Sequence, residues 1–402
     1  MEIAMGCVKQ GQPHMNPNLL LLTFAQGAFL TNNVVFIAIN GLVGLALAPF
    51  GWMATIPVTA YVVGSALSTQ LVAMTQRRYG RKRSFQMGLV VGFISALLCG
   101  YAAYNHLFWL LVASTLLAGF YSANASLYRF AAPEIVSATY KEKAISWVMA
   151  GGIIGAVMGP NLAQWTKSSS LFGFALTNFV GSYLALAAVA LVGLSIVSRI
   201  EFAPLTGGAK QQGRSVRELA KQPVFVIAIL CGSLGYGVMN LLMASTPIAM
   251  QQCGFAFSSA AFVLQWHVMG MFVPSFFTGN LIKRIGVQPV LWMGIALVLV
   301  CIIVALNGID INNFVVALTA LGVGWNFLFV GGTTLLTSTY KPEERTQVQA
   351  TMDFCIFGTM ALSSFASGAL ITTQGWAWLN WGSLVPLALC AVGLVWLKWQ
   401  KN

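Results

Sequence analysis

The sequence predicts an all-α integral membrane protein: twelve transmembrane helices in two six-helix bundles, with both termini cytoplasmic. Three observations lead there. Charged residues make up 7% of the 402 positions and hydrophobic ones 58%, whereas a soluble domain carries about 25% charged residues. Apolar runs recur from end to end, and roughly 20 such residues cross a bilayer. The cations crowd into every second break between these runs.

Residues 1–17 are polar and read as a cytoplasmic tail, without the basic-then-apolar order of a cleaved signal. The first bundle occupies 18–198, with spans near 18–47, 52–76, 84–104, 107–132, 144–166 and 171–198. Short breaks separate them, such as Pro49-Phe50-Gly51, Asn105-His106 and Thr166-Lys167-Ser168. Residues 199–222 form the one long polar stretch, a cytoplasmic linker with Gly207-Gly208 and Lys210, Arg214, Arg217 and Lys221. The second bundle occupies 223–397, with spans near 223–251, 256–282, 288–307, 312–338, 346–373 and 377–397, and 398–402 is a short cytoplasmic tail.

Charge placement orients this map. Of 21 Lys and Arg residues, Lys167 lies in a break of the other set and Arg129 lies inside a span; the remaining 19 share one side. Basic residues favour the cytoplasmic face, so that side is inside and the membrane is expected to be a cell inner membrane. The net charge of +12 therefore reflects topology and not nucleic-acid binding. The seven Cys form no CxxC and no metal-ligand cluster, so no metal, cofactor or disulfide is expected. No phosphate-binding loop and no nucleophile–base motif appears, which argues against an ATP-driven pump and against an enzyme.

The halves repeat. RRYGRKRSFQMG at 77–88 aligns with KRIGVQPVLWMG at 283–294, matching Arg78 to Arg284, Gly80 to Gly286, Met87 to Met293 and Gly88 to Gly294. Tyr140-Lys141 recurs as Tyr340-Lys341. Offsets near half the chain are the mark of two six-helix units in parallel repeat. Five cations lie within seven positions, Arg77 to Arg83, between spans 2 and 3. With twelve spans, a 6+6 repeat and a central linker, this turn resembles the loop motif of the major facilitator superfamily, Gly-x-x-x-Asp-Arg-x-Gly-Arg-Arg/Lys. Arg78, Gly80, Arg81 and Lys82 match it, while Ala73 and Arg77 replace its first Gly and its Asp.

The resemblance implies a secondary transporter working by alternating access, with this turn as a cytoplasmic latch. Arg77, Arg78, Gly80, Arg81 and Asp353 are then the gating candidates. Asp353 is the one acid within a span, and it is expected to pair with Arg77 or Arg78 in one state. The resemblance also assigns spans 1, 4, 7 and 10 to the central cavity. Each carries polar residues at helical spacing: Gln26, Asn33 and Asn40; Tyr121, Asn124 and Tyr128; Ser233, Tyr236 and Asn240; Asn326, Thr333 and Thr337. Substrate contacts are expected from Gln26, Asn33, Tyr121, Asn124, Tyr236, Asn240 and Asn326, with Trp325 stacking on a planar cargo. Arg129 either meets an anion or pairs with Glu134. His267 and Asp353 are candidates for proton coupling.

The sequence thus points to a transporter, expected to be a monomer in the lipid bilayer, for a small polar or anionic organic solute, imported with H+. Two alternatives remain at this level. Gly151, Gly155, Gly159 and Pro160 resemble a span 5 signature of drug/proton antiporters, although Thr115 replaces that branch's span 4 Arg. A non-transporting membrane sensor of the same fold is the other.

Overall fold

A computed structural model describes residues 16–132, 135–136, 141–167, 170–171, 174–175, 179–202, 214–341 and 344–400. Helix α1 spans Pro17–Leu47. Asn16 caps it, accepting from the Asn18 N–H at 3.0 Å, and Pro17 fills a first-turn position that needs no donor. Helix α2 covers Ile56–Tyr104 but is two spans. Thr75 and Ser84 hydrogen bond at 2.8 Å, where a straight helix would hold them about 13 Å apart. The chain doubles back at Gly80, whose φ of 81° and ψ of 166° suit glycine. Gly286 adopts the same backbone, φ 89° and ψ 164°, between α10 (Ser275–Ile285) and α11 (Val287–Asn307). The repeat read from the sequence is therefore a repeat of conformation.

The fourth run is broken into α3 (Phe108–Ala125) and α4 (Tyr128–Ala131). Helix α5 spans Lys141–Thr166. Residues 170–171 and 174–175 pair as an antiparallel hairpin, so α6 starts at Val180 and not near 171. The linker holds the one-turn α7, Val216–Leu219, with a Ser215/Glu218 capping box. Helices α8 (Pro223–Gln252), α9 (Phe257–Phe272), α12 (Ile311–Thr337), α13 (Arg345–Thr373) and α14 (Trp376–Trp399) complete the chain. Among the described residues, ten helices are long and apolar enough to cross a membrane, or eleven when α9 and α10 count as one span bent by 42°. Val273-Pro274 lies at that bend, where proline removes a donor and clashes with the preceding turn. The 26-residue α5 lies outside that set.

Glycines set the closest crossings. A Cβ on Gly155 would stand 2.6 Å from Leu30 Cβ, and one on Gly159 would stand 2.9 Å from Val34 Cβ. The spaced glycines of α5 thus let its backbone seat against α1, a packing device that membrane helices use widely. Gly64 meets Gly119 and Leu116 between α2 and α3; Gly270 meets Gly322 and Thr319 between α9 and α12. The same close crossing therefore occurs once in each half.

The halves meet directly at one end. Thr55 Oγ1 donates to the Ser364 carbonyl at 2.6 Å and accepts from the Gly368 N–H at 3.0 Å. Asn161 Nδ2 reaches Gln265 Oε1 at 3.3 Å between α5 and α9. At the same end Lys167 Nζ sits 5.7 Å from the Phe179 ring and 5.2 Å from the Phe257 ring, bridging the halves beside a pocket of about 280 Å3. At the Gly80 end, the linker is tied to the second half. Glu344 is buried, and accepts from Arg214 Nε and Nη2 at 2.8 Å each, from Arg214 N at 2.9 Å and from Lys341 N at 2.9 Å. The Arg214 side chain foremost, then the backbone donors, hold its carboxyl well below the usual carboxylate range.

Candidate functional site

Between the halves lies a cavity of about 150 Å3, walled by α1 to α5 on one side and α8, α9, α12 and α13 on the other. One wall is aromatic. Trp325 and Phe329 are one turn apart on α12 and stack with centroids 5.0 Å apart at 8°. Tyr236 stands edge-on to both, at 5.2 and 5.8 Å, and Phe272 flanks Trp325 at 6.4 Å. The facing wall carries the polar groups Gln26, Asn33, Tyr61, Ser65, Ser122 and Ser126 among apolar side chains such as Phe29, Ile37 and Met149. Asn33 Oδ1 accepts from the Tyr61 hydroxyl at 2.9 Å. Such a chamber pairs a flat apolar face with hydroxyl and amide groups, the usual recipe for a small-molecule site.

One end of the cavity is charged. Arg129 Nη2 lies 3.6 Å from Asp353 Oδ1, with 26% and 34% of the two side chains exposed. In this structure Asp353 pairs with Arg129 of α4, where the sequence points to Arg77 or Arg78 in one state. Arg78 is exposed and its guanidinium lies 5.3 Å from the Tyr79 ring. The Arg77 side chain and Glu134 lie outside the described residues. Gly80 makes the turn itself, and Arg81 is half-buried beside it.

Of the expected substrate contacts, Gln26, Asn33, Arg129, Tyr236 and Trp325 line the cavity, together with Asp353. The others are placed elsewhere. Asn124 accepts from Ser84 Oγ at 2.8 Å and lies against Gly88. Asn240 donates to the Met360 carbonyl, Ser363 and Ser364, joining α8 to α13. Asn326 accepts from Thr278 and donates to the Met271 carbonyl and Ser275, fixing the α9–α10 bend. Asn40 accepts from the Tyr183 hydroxyl at 2.8 Å. Tyr121 packs edge-on behind Phe29 at 5.6 Å. His267 is fully buried outside the cavity wall, its Nδ1 2.7 Å from the Leu318 carbonyl, and so ties α9 to α12. The asparagine amides are answered within the protein, as an apolar surrounding demands, while the Tyr121 hydroxyl and His267 Nε2 have no hydrogen-bond partner among the described residues.

Tyr61, Ser65, Phe29 and Phe329 also line the wall but were not singled out from sequence. Tyr61 and Ser65 stand one turn apart on α2, a polar pair at helical spacing that was available as a signal. Phe29 and Phe329 carry no mark that separates them from ordinary core residues. Among the described residues no three His, Cys, Asp or Glu side chains converge as a metal site requires.

The profile of the Major Facilitator Superfamily matches residues 19–306 and 239–402. The riboflavin transporter RfnT of Brucella anthropi is 35% identical over 381 residues, covering 94% of this chain and 95% of that protein. The uncharacterized MFS-type transporter YdeG of Bacillus subtilis is 29% identical over 331 residues, covering 79% of this chain and 76% of its own. Among solved structures, the nucleoside transporter NupG superposes with a TM-score of 0.71 over 96% of this chain and 100% of that one. At 13% identity that likeness concerns the fold.

Proposed function

The chain belongs to the major facilitator superfamily and is a multi-pass membrane transporter, not an enzyme; from that premise we propose that its cargo is riboflavin or a close flavin analogue. The observation that carries this reading is the two-sided cavity. The Trp325/Phe329 stack with Tyr236 suits a flat tricyclic ring. Asn33, Tyr61, Ser65, Ser122 and Ser126 suit the hydroxyls of a polyol chain. The identity with a riboflavin transporter over nearly the whole of both chains supports the same substrate class.

In this reading the chain crosses a cell inner membrane twelve times, counting α5 and the bent α9–α10 pair as spans, with both termini inside. The Thr55–Gly368 contact is then the outer gate, closed here, and the Arg129–Asp353 pair lies on the cytoplasmic side. Import is coupled to protons. Asp353 is the proton carrier, because its neutralisation would release Arg129 and free the halves to move. The glycines of α5 are accounted for by their seat against α1, so they add no support to the efflux alternative. Riboflavin-requiring cells that express the chain should grow on low external riboflavin. Cells expressing it without such rescue, despite protein in the membrane, would count against the reading.

A further inference from the structure

We propose that the cavity recognises the imide edge of the cargo's ring, an N–H flanked by carbonyl oxygens, through the Gln26 amide and the Trp325 indole N–H. The inference rests on the flavin reading above and names the group by which a flavin would be held. Both side chains line the cavity and both are more than nine-tenths buried, with Gln26 7% and Trp325 4% exposed. Among the described residues, Gln26 Oε1 and Trp325 Nε1 have no hydrogen-bond partner within the protein. Buried polar atoms are nearly always paired, and an unpaired one is costly. One of these atoms accepts and the other donates. They sit on α1 and α12, in opposite halves.

The surroundings choose between the parts of a flavin. Trp325 stacks on Phe329 and makes T-shaped contacts with Tyr236 and Phe272. Its in-plane N–H is therefore the group it can offer, and its aromatic neighbours accommodate a ring and not a polyol. The pyrimidine portion of an isoalloxazine carries a ring N–H between two carbonyls. That N–H would donate to Gln26 Oε1, and one of the carbonyls would accept from Trp325 Nε1. A ligand gripped from both halves also stabilises the closed arrangement of those halves.

The test uses purified protein and flavin fluorescence to compare riboflavin with 3-methylriboflavin, in which the imide N–H is replaced by N–CH3. Wild type, Gln26→Leu, Gln26→Met and Trp325→Phe are measured. Wild type should bind riboflavin roughly tenfold or more tightly than the methylated analogue. Either Gln26 variant should bring that ratio close to one, since methyl bulk burdens every protein alike and the cycle isolates the hydrogen bond. Trp325→Phe should weaken both flavins by a similar factor. Equal affinity of wild type for the two flavins overturns the imide assignment and leaves the riboflavin reading standing. So does a ratio unchanged in the Gln26 variants. Failure of wild type to bind either flavin overturns both.

Discussion

Arg129 on α4 and Asp353 on α13 form an ion pair, 3.6 Å from Nη2 to Oδ1, that joins the two halves across one end of the cavity. About a quarter of the Arg129 side chain and a third of that of Asp353 are exposed, so the pair is neither fully screened nor fully dry. Asp353→Asn mimics the protonated acid. It should preserve exchange of cargo between the two sides yet abolish accumulation driven by a proton gradient. Arg129→Gln should impair both. Gradient-driven accumulation by Asp353→Asn at the wild-type level would remove Asp353 as the coupling group.

His267 is a structural tie in this architecture, bonded to the Leu318 carbonyl and shut off from the cavity. His267→Leu should lower thermal stability, by about 1 kcal/mol for one lost interhelical hydrogen bond. The pH profile of uptake should keep its shape. A displaced profile with unchanged stability would reverse that assignment.

Thr55 and Gly368 should act as one gate. A Cβ on Gly368 would collide with Thr55 Oγ1 and stand 2.9 Å from Thr55 N. Gly368→Leu therefore disfavours the closed arrangement at this end. A cysteine placed at Asn33 should become reactive toward a membrane-impermeant reagent added outside, and uptake should fall. Unchanged reactivity in Gly368→Leu would show that this contact does not hold the end shut.

Glu344 should make stability depend on pH in a defined direction. Its carboxyl is depressed below its ordinary value of 4.5, chiefly by Arg214. The contribution is thus complete above that value and is lost as pH falls below it toward the folded-state value. Glu344→Gln should melt several degrees lower than wild type at pH 7. The gap between them should narrow as the pH is taken below about 4.5. A gap that widens in acid would contradict the assigned pair.

Much of the fold was legible because a bilayer imposes a simple rule on length and polarity. The Arg78–Gly80 and Arg284–Gly286 match announced the half-chain repeat, and both glycines make the same turn. The start of α6 is not legible because 171–179 is largely apolar, while the structure pairs 170–171 with 174–175 as strands and begins the helix at Val180. The site was only half legible. Helical spacing found the polar stripes, but it cannot say whether an amide faces a cavity or a neighbouring carbonyl. Asn124, Asn240 and Asn326 bind neighbouring helices, while Gln26 and Asn33, of the same chemistry, line the wall. The Arg129–Asp353 pair is not legible because the family motif draws attention to Arg77 and Arg78, while Arg129 comes from a different span of the same half.

We propose that this chain moves a flavin. The most direct measurement is counterflow in proteoliposomes: vesicles loaded with unlabelled riboflavin are diluted into labelled riboflavin, with no ion gradient applied. Transient uptake of label above protein-free vesicles, reduced by Trp325→Ala, is the result expected. Vesicles that exchange another solute, such as a nucleoside, but not riboflavin would contradict the account.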